Sequence, residues 1–82
     1  MNKVEIIEKL NAIFKEVFED KNIIINDEMT ANDVENWNSF THMLLISKVE
    51  ETFNIKIKLK ELNRLKTVGD IVTLLVAKCE NI

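Results

Sequence analysis

A chain of 82 residues with no proline and one glycine has room for one small core, and it disfavours a turn-rich β fold. Its formal net charge of −3 argues against generic nucleic-acid binding. A single cysteine excludes an internal disulfide, and neither a membrane-length apolar run nor a signal-peptide core is present, so the expectation is a cytoplasmic protein.

The charge is unevenly spread. Residues 1–53 hold five Lys and eleven acids, for −6, while residues 54–82 hold six Lys or Arg and three acids, for +3. The positive part centres on Lys56, Lys58, Lys60, Arg64 and Lys66, and its plainest reading is a solvated face.

Residues 3–20 form the first expected helix. Ile6, Ile7, Leu10, Ile13, Phe14, Val17 and Phe18 fall on one stripe at helical spacing. Residues 21–38 are polar and too long for an ordinary connection, so Ile23, Ile25, Met29, Val34 and Trp37 are expected to pin them to the core. The acids Asp27, Glu28, Asp33 and Glu35 lack the glycine and the alternating ligands of a calcium loop, and no metal site is assigned to them.

A second helix is expected from Ser39 to Phe53, entered through Asn38 and Ser39, both able to accept from the first free backbone N–H groups. Leu45, Ile46, Val49 and Phe53 gather on one side of it. Phe40, Met43 and Leu44 gather roughly opposite, with Ser47 and Glu51 among them. One apolar face belongs to the core, and the second is either buried by another part of the chain or offered as a partner or cargo surface. Ser39 has two readings, a simple cap or the bearer of a phosphate, because a helix N-terminus favours an anion.

Asn54–Lys60 alternates Ile55, Ile57 and Leu59 with lysines, which is a strand pattern whose only plausible partner is Ile23–Ile25. It is read instead as an extended connection with that apolar side on the core. Glu61–Leu65 is a short helix or turn. Thr67 and Asp70 make a capping box for the last helix, whose stripe is Val68, Ile71, Val72, Leu75 and Cys79, with Leu74 and Val76 beside it. Cys79 reads as a small buried hydrophobe. The fold class is all-α: a small four-helix bundle of three principal helices plus one short helix, with a long loop between the first two. Residues 1–82 are read as a single domain. No catalytic constellation is visible, and His42 is the sole histidine.

Trp37-Asn38-Ser39-Phe40, the apolar helix ending Glu50-Glu51-Thr52-Phe53, Ile55-Lys56-Ile57 and the Thr67-Val68-Gly69-Asp70 helix start resemble the acyl and peptidyl carrier proteins. The likeness runs from about Phe14 to Val76. Their motif is Asp-Ser-Leu, often with a preceding Trp, followed by a helix ending in Glu-Glu-x-Phe-x-Ile. The resemblance implies that Ser39 carries a covalent 4′-phosphopantetheine arm, making this a phosphoprotein whose arm holds an acyl or aminoacyl group as a thioester. It implies a monomeric, non-enzymatic carrier for fatty-acid or secondary-metabolite biosynthesis. Its partners would be a phosphopantetheinyl transferase and the enzymes that load and transfer the cargo. Neither nucleic acid nor membrane is implied. Asn38, Phe40, Met43, Leu44, Ser47 and Glu51 would be the residues that partners recognise.

This sequence departs from the family pattern at Asn38, where the family has Asp, and at His42 and Lys48, which make the helix less acidic than that of fatty-acid carriers. Two other classes of function stand beside the carrier. One is a helical protein-interaction module without covalent cargo, docking through Phe40, Met43 and Leu44. The other, weaker, is a helix-turn-helix-like nucleic-acid binder using Lys56–Arg64.

Overall fold

The computed structural model describes residues 2–80. Four helices follow in order: α1 (Lys3–Val17), α2 (Ser39–Phe53), α3 (Leu59–Leu62) and α4 (Val68–Glu80). The apolar stripes meet as their spacing requires. Ile6, Leu10, Ile13 and Phe14 of α1, Leu45, Ile46, Val49 and Phe53 of α2, and Val68, Ile71, Val72, Leu75 and Cys79 of α4 form one buried cluster. Burying such side chains is the main favourable contribution to folding, at about 1.5–3 kcal/mol for each large one.

α1 starts at an Asn2 cap, whose Oδ1 accepts from Glu5 N–H at 2.8 Å. It ends at Val17, three residues before the expected end at residue 20. Phe18 is the C-cap and is still buried, and Glu19 then takes a left-handed backbone with φ 51°. The stripe continues through Phe18 because the side chain stays on the core after the helix has ended.

The long connection between α1 and α2 lies on the bundle without regular structure. Ile23, Val34 and Trp37 are buried, while Ile25 and Met29 pack partly against the core. Asn11, from the middle of α1, secures its first part with two hydrogen bonds. Its Oδ1 accepts from Ile25 N–H at 2.8 Å and its Nδ2 donates to the Ile23 carbonyl at 3.2 Å. These bonds satisfy the backbone groups that would otherwise have called for a strand partner. Ile23–Ile25 and the Asn54–Lys60 segment are not paired as strands.

The segment after α2 is satisfied from α2 itself. Asn54 turns left-handed at φ 54°, its N–H and that of Ile55 both reach the Glu50 carbonyl, and the Glu50 carboxylate accepts from Ile57 N–H at 2.8 Å. Ile57 is buried and Ile55 partly so, as expected of the apolar side. Leu59 is not: α3 begins there rather than at Glu61, and the change from extended to helical backbone turns Leu59 outward, 75% exposed. Glu61 accepts from Lys58 N–H at 2.9 Å and pairs with Lys78 of α4 at 3.3 Å, and the Lys58 N–H above all holds its carboxyl below the usual range.

α4 starts at the expected capping box. Asp70 accepts from Thr67 N–H at 3.0 Å and Thr67 Oγ1 accepts from Asp70 N–H at 3.1 Å. The next free donors go to the long connection: Val68 N–H to the Met29 carbonyl at 2.9 Å and Gly69 N–H to the Asp27 carbonyl at 3.0 Å. That approach explains why the sole glycine stands in the first turn of a helix. A Cβ at position 69 would lie 2.9 Å from the Asp27 carbonyl oxygen and 3.1 Å from the Asp27 Cβ. Alanine would gain about 1 kcal/mol in helix propensity. Forcing the connection back costs about 1–3 kcal/mol as overpacking and strains both bonds. Gly69→Ala is therefore expected to lower stability by about 1 kcal/mol, seen as a lower urea midpoint at unchanged slope. A higher midpoint would mean that the connection yields freely.

Candidate functional site

The loop joins α2 at a tightly held junction. Asn36 takes a left-handed backbone, φ 69°, which turns the chain so that Trp37 points inward. Asn38 is the cap. Its Oδ1 accepts from Phe40 N–H at 2.9 Å and Thr41 N–H at 3.1 Å, while Thr41 Oγ1 accepts from Asn38 N–H at 2.8 Å and donates to the Asn36 carbonyl at 2.6 Å. Of the two cap candidates, then, the structure uses Asn38. Ser39 is the first helical residue, exposed, and its hydroxyl has no hydrogen-bond partner among the described residues.

Trp37 packs edge-on to Phe14, with ring centroids 5.4 Å apart and an interplanar angle of 86°, and tilted against Phe18 at 5.7 Å. Its indole nitrogen donates to His42 Nδ1 at 3.1 Å, and the two ring planes lie within 18° of each other. The junction is thus tied on one side to the core of α1 and on the other to the first turn of α2. His42 is half-buried, and burial pushes its imidazole below the ordinary value of 6.5. Protonation at Nδ1 would also set a donor against the indole N–H.

A folded-state pKa below the unfolded value means that the unfolded chain binds more protons as pH falls. The His42 contribution to stability is therefore complete above 6.5 and is lost as pH falls through the lowered pKa. The carboxyls held low, Asp70 and Glu61, lose theirs only in the more acidic carboxylate range. Urea midpoints are expected to decline with acidification just below 6.5 in the natural chain, and a His42→Gln variant should lack that slope. The slope is the readout, since the variant also loses the Trp37 bond.

Beside Ser39 lies an open groove of about 690 Å³. Ala31, Trp37, Met43 and Leu65 give it apolar walls, and His42 and Lys66 bring polar groups to it. These residues come from the long connection, α2 and the α3–α4 connection, so the groove exists only in the folded chain. A phosphate ester on Ser39 with a long arm of mixed polarity fits this setting: the hydroxyl is free, the arm has polar and apolar wall to lie along, and no carboxylate of the described residues lines the groove.

Of the two readings of the second apolar face of α2, the fold takes the outward one and not the core. Phe40, Met43 and Leu44 are 72%, 55% and 44% exposed, and Ser47 and Glu51 are exposed beside them. Lys48 is turned aside from that face toward α1, where it meets Glu16 at 3.1 Å, and this hydrogen bond raises its ammonium pKa. The face therefore carries Glu51 as its acid and none in the first turn of α2. The Lys56–Arg64 stretch holds only the four-residue α3, too short to act as a recognition helix in a groove of DNA. Among the described residues no group of side chains is arranged to hold a metal ion, and no helix is long and apolar enough to cross a membrane.

Sequence reasoning missed Asn11, Glu50 and the Trp37–His42 bond. Only the last carries a visible signal, a five-residue spacing between a donor and an acceptor ring, and that spacing is not specific by itself.

Comparison with known proteins bears on this junction. Residues 8–75 match the model of the family described as the phosphopantetheine attachment site. The fold is similar to the solution structure of a holo acyl carrier protein from Geobacter metallireducens, with a TM-score of 0.86 and 40% identity over 92% of this chain and 86% of that one. It is also similar to a candidate acyl carrier protein from Mycobacterium tuberculosis, with a TM-score of 0.78 and 25% identity over 87% of this chain and 95% of that one. No curated protein matches it in sequence.

Proposed function

The chain belongs to the acyl carrier protein family, the proteins built around a phosphopantetheine attachment site, and on that premise we propose that Ser39 bears the arm. Acyl carrier function, with covalently attached 4′-phosphopantetheine, follows from the family, and the interaction module without cargo is not favoured. The observation that carries the assignment is the exposed Ser39 hydroxyl, free of partners among the described residues, at the start of α2 and at the edge of the groove. In attachment, Ser39 Oγ forms the bond to the pantetheine phosphate of coenzyme A. The bond to the adenosine bisphosphate breaks, and the hydroxyl proton passes to a base of the transferase. When bound, the arm supplies the thiol that holds an acyl or aminoacyl group as a thioester. The chain itself needs no catalytic group, because the enzymes that load and unload the arm bring theirs.

Residues 1–82 act as one carrier domain in this proposal. Phe40, Met43 and Leu44, with Ser47 and Glu51 at their edge, form the surface that the transferase and the loading and transferring enzymes meet. The single free, buried Cys79 suits a reducing cytoplasm. Incubation with coenzyme A and a broad-specificity phosphopantetheinyl transferase, followed by intact mass, is expected to show one added arm and no second. A chain that takes up none would count against the proposal.

Asn38 should tune the rate of that modification. Its Oδ1 already caps α2, so aspartate keeps the cap and adds a negative charge beside Ser39. Asn38→Asp is expected to speed modification at low salt, with an advantage that shrinks as salt screens the charge. An unchanged or slower rate at low salt would show that a neutral residue here suits the transferase.

A further inference from the structure

His42 stands three residues after Ser39, a spacing that puts two side chains on one helix face with Cβ atoms about 5–6 Å apart. Both line the same groove. The tautomer of the imidazole is set by its neighbour. An indole nitrogen only donates, so Nδ1, 3.1 Å from Trp37 Nε1, accepts, and the neutral ring carries its proton on Nε2. Nε2 has no partner among the described residues, and none of their buried side-chain nitrogens or oxygens is unpaired. The Nε2–H group is therefore open to solvent on a ring that lines the groove.

The other ionisable group of the groove is Lys66, from the α3–α4 connection; the long connection and α2 contribute none besides His42. Although the chain has a net charge of −3, no carboxylate of the described residues stands in the lining beside Ser39. The end of α2 has little left to offer an anion, since Asn38 already takes the Phe40 and Thr41 N–H groups. What the groove still offers an anion is the imidazole, on the same helix face as Ser39, and the Lys66 ammonium from the facing connection.

From this geometry we propose that His42 Nε2–H holds the phosphodiester of the arm on Ser39, with Trp37 as the positioning residue that keeps Nε2 the donor. The inference rests on Ser39 being the attachment site. Held there, the phosphate starts the arm along the apolar wall of Trp37, Met43 and Leu65 instead of outward into water. The bound anion favours the imidazolium, which burial and the Trp37 bond disfavour in the unmodified chain.

The test is an NMR titration of the imidazole in the full chain before and after arm attachment from coenzyme A. Intact mass and fragmentation first locate the arm. The unmodified chain is expected to show the Nε2–H tautomer. Attachment is expected to raise the His42 midpoint by about 0.5–1 unit, less than the shifts of buried pairs because the groove is open to water. The phosphodiester ³¹P resonance should shift with the same midpoint, and in His42→Gln that ³¹P titration should vanish. A chain labelled at Ser39 whose His42 midpoint and ³¹P resonance are unmoved overturns the phosphate contact alone. A chain labelled elsewhere, or not at all, overturns the Ser39 assignment and this inference with it.

Discussion

Replacing Ser39 by alanine is expected to abolish phosphopantetheine labelling completely while leaving the fold in place. The chain has one other serine, Ser47, in the middle of α2. Although Ser47 is exposed, its backbone surroundings are a continuous helix, without the free end and the groove that adjoin Ser39. A transferase that recognises the α2 entrance would find nothing equivalent there. The stability cost should be small for a reason the structure supplies. The cap is Asn38, whose Oδ1 serves both Phe40 and Thr41, so Ser39→Ala removes no cap and should stay within the roughly ±0.5 kcal/mol of an exposed substitution. Loss of a cap would instead cost about 0.5–2 kcal/mol. Intact mass gives the first outcome and urea unfolding the second. A label that persists in Ser39→Ala removes the central assignment.

The second large effect is a contrast between two neighbours on α2. Leu45 is fully buried in the core cluster, and alanine there leaves a cavity, so Leu45→Ala is expected to cost about 2–5 kcal/mol. In a domain whose whole stability is about 5–15 kcal/mol, that is a large fraction. Met43, two positions earlier, is 55% exposed, and Met43→Gln should stay within roughly ±0.5 kcal/mol. It should instead slow transfer to and from the partner enzymes, because an apolar anchor at the centre of a docking surface often carries much of the binding energy. Urea unfolding of both variants tests the helix phase without any partner. If Met43→Gln destabilises as much as Leu45→Ala, the outward face of α2 is core and the docking surface lies elsewhere.

The residues that set the helices act over one turn, and such interactions are written in the sequence. Apolar side chains three and four apart placed Leu10 with Phe14, Leu45 with Val49, and Ile71 with Leu75. Thr67 and Asp70 announced the start of α4, and the second apolar face of α2 left Phe40, Met43 and Leu44 open between core and surface, a choice that the fold made for the surface. Ser39 could be singled out because its motif and its place at a helix start are both local.

What the tertiary structure decided are the contacts that depend on how the helices come to lie together. Asn11 reaches residues 12 and 14 positions away to hold the long connection, and Gly69 has no side chain because Asp27 arrives from that same connection. Glu50 replaced the missing strand partner of Ile57. The early start of α3 then sent Leu59 outward, although its alternation with Ile55 and Ile57 pointed to the core. Trp37 was legible as an apolar anchor, but its indole N–H needed an acceptor, and only the folded junction brings His42 to it. Periodicity reports which side of an element is apolar; it is silent on where a buried polar group finds its partner, because that partner is fixed by packing and not by spacing.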